Sequence, residues 1–247
     1  MLLQEIIDAY SNNAAQMNLL SLIPYVGGFV VWIYFYLLPI KEKKLPIPFW
    51  LITMWFAHDS TGALVFFRLA QQHDGFWFFK STSIALATWC VIEIIGMCII
   101  IKYARQDIWG KYYPATVTAR QATLSTVAEI IMMVCIVNLL RVYMNDESMF
   151  KWFSMTNAVF AIGPWYLIRG RNSRAGSSIA LSIIFVISVA QTFAPPGIGM
   201  FTTASSFFDQ PWFYIAGVVF TLMAMGNFVR LLRLPPKVTV EGKWTIW

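Results

Sequence analysis

Charge is scarce in this chain. Lys, Arg, Asp and Glu together make up 12% of its 247 residues, and hydrophobic residues make up 58%. A soluble globular chain carries about 25% charged and about 45–50% apolar residues, so an ordinary soluble domain is excluded. Cysteine is also scarce. Cys90, Cys98 and Cys135 all lie in apolar runs with no metal or redox spacing, and they read as buried thiols packed as small hydrophobes. Two histidines cannot form a metal-binding cluster by themselves, and no DDxxD-like diphosphate motif occurs. The first 18 residues hold Glu5 and Asp8 but no Lys or Arg, and so lack the basic start of a signal peptide.

Long apolar runs are abundant instead. They predict an all-α, seven-transmembrane-helix bundle with spans over 19–39, 48–70, 77–101, 122–143, 152–168, 177–194 and 212–232. Each approaches the ~20 residues needed to cross about 30 Å of hydrocarbon. The predicted organisation is an N-terminal interfacial segment (1–18), a seven-helix membrane domain (19–232) and a cytoplasmic tail (233–247). In the first segment Leu2, Leu3, Ile6, Ile7 and Tyr10 form a helical stripe.

The net charge of +6 would hint at nucleic acid, but its placement follows topology instead. The first loop holds Lys41, Lys43 and Lys44, the third Lys102, Arg105, Lys111 and Arg120, and the fifth Arg169, Arg171 and Arg174. The tail adds Arg230, Arg233, Lys237 and Lys243, making 14 on one side. Only Arg68, Lys80, Arg141 and Lys151, four residues, fall on the other. Positive charge marks the cytoplasmic side, so the N-terminus is expected outside and the C-terminus in the cytoplasm. The sixth loop, PPGIGMFTTASSFFDQP (195–211), is nearly uncharged. It is expected to fold back over the outer mouth of the bundle or dip into the interface; an interfacial loop with Phe anchors is the competing reading.

An ionisable group inside a span costs about 2.5–3.5 kcal/mol on insertion scales, so each is a functional candidate. Asp59 lies near the middle of the second span beside His58, Glu93 past the centre of the third, Glu129 in the fourth and Asp209 at the edge of the seventh. A neutral buried acid suits Brønsted-acid catalysis or a proton relay; helix-to-helix glue is the structural alternative, and the stronger one for Glu93 and Glu129. His58 and Asp59 project about 100° apart on a helix and are not expected to face each other. Aromatics form 17% of the chain. Trp50, Trp77, Trp109, Tyr112, Tyr113, Trp152 and Trp212 suit interfacial belts, while Trp32, Tyr34, Trp55, Trp89 and Trp165 are deep enough to line a cavity. Packing or lipid contact is the plainer role for any one of them.

Three stretches resemble the small seven-span terpene cyclases of fungal meroterpenoid and indole-diterpene (pyripyropene- and paxilline-type) biosynthesis. FAHDSTGAL (56–64) resembles the second-span motif, with Asp59 at the catalytic Glu position and His58 in place of Trp. TWCVIEIIGMCIIIKYARQDIW (88–109) resembles the apolar run closing in a Lys-Tyr-Ala turn. RGRNSRAGSS (169–178) resembles the Arg-Gly…Ser-x-Arg-Gly-x-Ser loop, with Ala175 where Gly is usual. The similarity extends over roughly 25–235. The family's second acid would fall at Ala224–Asn227, where this chain reads AMGN. Either Glu93 or Asn227 takes over that part, or the protein does something else.

The resemblance implies a metal-independent, cofactor-free cyclase that protonates a prenylated substrate at an alkene or epoxide. Asp59 and Glu93 would be its catalytic acids, and His58, Trp55, Trp89, Trp165 and Asn227 its substrate contacts. It would work among membrane lipids, in the endoplasmic reticulum if fungal or the plasma membrane if bacterial. Three alternatives share features. A retinal protein would need a lysine in 212–232, which has none; receptor-style Asp-Arg-Tyr and Asn-Pro-x-x-Tyr features are also missing. A proton-coupled transporter could use the buried acids as a relay, though no Gly/Pro-broken span pairs are evident. A membrane sterol or prenyl isomerase would use similar acid chemistry.

Overall fold

The structure, a computed structural model, describes residues 1–237 and 246. Most of the predicted tail 233–247, Lys243 included, lies outside the described residues. Among those described, the regular structure is entirely helical: α1 (Leu2–Asn12), α2 (Ala14–Glu42), α3 (Phe49–Gln72), α4 (Trp77–Tyr103), α5 (Arg105–Trp109), α6 (Ala119–Tyr143), α7 (Phe150–Arg169), α8 (Ile179–Thr192), α9 (Met200–Ala204) and α10 (Pro211–Arg233). A helix lies on each of the seven segments drawn from the sequence. Four of them, α2, α4, α6 and α10, are long and apolar enough to cross a membrane. α3 and α7 have the length, with 24 and 20 residues, but not the apolarity. α8, with 14 residues, spans only about 21 Å at 1.5 Å per residue.

Local chemistry explains several helix ends. The Thr118 hydroxyl accepts from Gln121 N–H at 3.2 Å while Gln121 Oε1 accepts from Thr118 N–H at 2.9 Å, a reciprocal cap that starts α6. Ser178 caps α8 through Leu181 N–H at 3.3 Å, and Pro211 occupies the first turn of α10. Asp74 (φ 49°) and Gly75 (φ 73°) reverse the chain between α3 and α4.

The chain forms two compact units. One comprises Phe35–Trp152, and in it α3 packs against both α4 and α6. Ser83 Oγ donates to Ala63 O at 2.8 Å, Asn138 Nδ2 to Thr61 Oγ1 at 3.2 Å, and Trp152 Nε1 to Val137 O at 3.2 Å. Gly62 lets α4 approach: a Cβ there would lie 2.9 Å from Leu86 Cδ1. α4 buries Phe78, Phe79, Thr82, Leu86, Glu93, Gly96, Met97 and Ile100, a stripe of helical period, and exposes Ile84, Val91, Ile94 and Ile95. α6 repeats the pattern, with Leu124, Val127, Ile131 and Leu139 outside. Apolar outer faces of this extent, on helices of spanning length, mark a membrane protein. Cys98 and Cys135 lie on these exposed faces rather than buried, because the medium outside is as apolar as the core.

The second unit comprises Met1–Tyr34 and Phe153–Trp247. Within it α8 packs on α10 and α1 on α9, and Phe160 stacks on Phe185 at 4.8 Å between α7 and α8. Loop six folds back onto this unit. Phe201 and Phe208 are fully buried, and the Glu5 carboxylate accepts from Ser205 Oγ at 2.6 Å and Ser206 N–H at 2.8 Å. The N-terminal stripe serves this contact, with Ile6 and Tyr10 buried and Tyr10 Oη bonded to Ser21 Oγ at 2.7 Å.

Candidate active site

Asp59 lies 13 residues before the end of α3 and Glu93 16 residues after the start of α4. A tight turn joins the two antiparallel helices, so at 1.5 Å per residue both acids stand about 20–24 Å from it. Glu93 falls on the buried stripe of α4, seven residues after Leu86 and four before Met97. Depth and facing therefore coincide, and the Glu93 side chain meets that of Asp59. Both are buried, at 1% and 5% exposure. Glu93 Oε2 has no hydrogen-bond partner among the described residues.

His58 completes the group, at 1% exposure. Its Nδ1 lies 2.6 Å from Asp59 Oδ1, contrary to the expectation that these neighbours do not face each other. The 100° divergence applies to the Cα–Cβ bonds, whereas the imidazole edge and the short carboxylate can turn toward one another beyond Cβ. Imidazole, carboxyl and carboxyl thus form a continuous buried chain, with Cys90 and Tyr36 near Glu93. Tyr36 itself donates to Ile92 O at 2.5 Å.

Several aromatic rings belong to the same unit. Trp55 is buried and stacks on Phe35 at 5.8 Å, and Trp89 is half-buried on α4. Trp152, expected in an interfacial belt, is instead buried, with its ring 6.3 Å from that of His58. Trp109 is another belt expectation that the structure buries, at 3% exposure. It lies against Glu129, which is half-buried. Asp209 is exposed and accepts from Tyr214 Oη.

Trp165 and Asn227 belong to the other unit. Trp165 is half-buried under the Arg169 guanidinium, 3.9 Å from its ring centroid. Asn227 is buried on α10 and donates from Nδ2 to Ala161 O at 2.7 Å; its Oδ1 has no partner among the described residues.

One buried acid was not singled out in the sequence. Asp146, in the short polar loop between α6 and α7, is 2% exposed, and its Oδ2 accepts from Trp152 N–H at 2.9 Å. The signal available was its place just before the first turn of a helix, where a carboxylate satisfies an otherwise unpaired N–H.

Comparison with family models, with curated proteins and with solved structures finds no match to this chain.

Proposed function

We propose that this chain is a membrane-bound terpene cyclase that protonates a prenylated lipophilic substrate, plain or epoxidised, and guides the cyclisation of the resulting carbocation. The observation that carries this reading is the buried contact of Asp59 with Glu93 in a helical domain with apolar outer faces. Two carboxyls in contact in an apolar medium favour sharing one proton over carrying two charges. Such a pair is a Brønsted acid kept away from water, which is what protonation of an alkene requires. Glu93, rather than Asn227, then supplies the second acid of the resembling family.

In this reaction the shared proton forms a C–H bond with the terminal alkene, or an O–H bond as an epoxide C–O bond breaks. The cation left behind is captured by the next alkene, each capture forming one C–C bond. Loss of a proton ends the cascade. The product is an isomer of the substrate, and no oxidant or reductant is consumed. His58 orients Asp59 through the 2.6 Å contact. Trp55 and Trp152 offer aromatic faces worth up to about 2 kcal/mol to a desolvated cation. The reading includes seven spans over 19–232, with the N-terminus outside and the C-terminus in the cytoplasm. It is supported by the 14-to-4 division of Lys and Arg and by the helix on each drawn segment.

The test is expression in a host fed farnesylated or geranylgeranylated aromatics, with and without a terminal epoxide, followed by a search for a cyclised isomer. Asp59→Asn and Glu93→Gln are each expected to lower its formation by about 100-fold or more. Unimpaired cyclisation by Asp59→Asn would refute the assignment. The imidazole beside the acid pair also favours a second reading, a proton-coupled transporter. Proton flux in liposomes with no cyclised product from any of these substrates would establish that one instead.

A further inference from the structure

The unit that holds the acid pair contains another buried acid, which the reaction as proposed leaves unused. Asp146 sits in a loop turned inward by two residues of left-handed backbone, Asn145 (φ 49°) and Met149 (φ 61°). Its Oδ2 is held 2.9 Å from Trp152 N–H, and its Oδ1 lies 3.5 Å from the buried Ser148 Oγ. The ring of the same Trp152 stands 6.3 Å from His58. His58 uses Nδ1 on Asp59, and an imidazole carries its second nitrogen on the other edge of the ring. Trp152 thus neighbours both Asp146 and His58, and Asp146, His58, Asp59 and Glu93 are exposed by 2%, 1%, 5% and 1%.

Each turnover transfers one proton from the acid pair to the substrate and loses one from the cyclised cation. Unless the same oxygen recovers it, the pair must be recharged from water, and an apolar bundle gives water no direct access. We infer that Asp146 is the entry residue of a proton path that runs through His58 to Asp59 and Glu93 and recharges the pair between turnovers. This inference rests on the cyclase reading for its purpose, but not for its detection.

The electrostatics agree with that role. Burial raises the Asp146 carboxyl from its ordinary value, against the pull of the Trp152 and Lys151 N–H groups and of the Lys151 and His58 charges. A carboxyl so placed takes up protons nearer to neutrality than a solvated aspartate does. Among the described residues Lys151 and His58 are the charged or titratable groups that act on Asp146; Asp59 meets His58; Cys90 and Tyr36 adjoin Glu93. Lys151 is anchored on Met144 O at 2.7 Å. On the proposed orientation, the path opens on the non-cytoplasmic side.

The test is hydrogen–deuterium exchange of the protonated carboxyl, read by infrared spectroscopy on the full chain in nanodiscs, with no substrate added. Asp59→Asn and Glu93→Gln identify the carboxylic C=O band of the pair. On dilution into D2O this band is expected to shift quickly in the wild type and about 100-fold more slowly in Asp146→Asn, which keeps an oxygen for Trp152 N–H. His58→Gln, which cuts the path at its middle, should slow exchange similarly and serves if Asp146→Asn does not fold. Equal exchange rates in the wild type and the variant would overturn the path, as would a wild type with no carboxylic band assignable to the pair. Slowed exchange in a chain that cyclises none of the prenylated substrates would instead leave the path standing and overturn the cyclase reading.

Discussion

Replacing Asp146 by Ala or by Asn separates its structural contribution from its charge. Trp152 N–H is buried at the start of α7 and has the Asp146 carboxylate at 2.9 Å as its partner. Ala removes that acceptor, and a buried N–H left unsatisfied costs about 1–3 kcal/mol. Ala also removes an anion near the first turn of α7, worth about 0.3–1 kcal/mol. Asn loses the anion but keeps an oxygen on the N–H. Asp146→Ala should therefore be less stable than Asp146→Asn by about 1–3 kcal/mol. The measurement is unfolding of the full chain in micelles by titration with a denaturing detergent, followed by tryptophan fluorescence. The charge has its own signature. Burial raises the folded-state value of Asp146 above the 3.8 of a solvated aspartyl group, so between the two values the folded state binds more protons than the unfolded state. Stability then falls as pH rises from 3.8 through the raised value and levels off above it. Asp146→Asn should lack this decline. Equal stability of Ala and Asn, or the same pH slope in wild type and Asn, would refute the placement of this carboxylate.

The Glu5 clasp should respond to acid in the opposite sense. Hydrogen bonds from the Ser205 hydroxyl, together with those from Ser206 and against partial burial, hold the Glu5 carboxyl below 4.5. Its contribution is present above 4.5 and lost as pH falls through the lower folded value; hydrogen exchange of residues 199–208 should speed up there, and in Glu5→Gln at neutral pH. Gly217 on α10 lies against Phe193, where an added Cβ would stand 2.3 Å from Phe193 Cβ. Gly217→Ala should destabilise the chain by about 1–3 kcal/mol in the same detergent titration. An unchanged midpoint would mean that α8 and α10 are not packed this closely.

Helix positions were legible because apolar run length is a one-dimensional property. The turn at Asp74–Gly75 and the Thr118 cap were written in residue type as well. Burial was less legible, since in an apolar medium the faces turned outward carry the same residues as those turned inward. Cys98 and Cys135 were expected inside and are exposed, whereas Trp109 and Trp152 were expected at an interface and are buried. A tryptophan near a span end suits either place; here Trp152 Nε1 finds Val137 O at 3.2 Å, so the indole enters the protein with its donor satisfied.

The candidate site was legible one residue at a time but not as a group. Asp59, His58 and Glu93 stood out because ionisable residues are rare inside spans. Their meeting depends on two long helices having matched depths and facings across one turn, which the positions 59 and 93 encode only once the turn is known. The His58–Asp59 contact escaped a rule written for backbone directions, because the bond forms beyond Cβ. Asp146 escaped for the reverse reason: a polar loop predicts hydration, and only its hold on the first turn of α7 draws the carboxylate inward. A rule that treats spans as the place for chemistry and loops as the place for water misses a loop acid folded into the span region. In this chain that acid holds the backbone of Trp152, whose ring neighbours the histidine that touches Asp59.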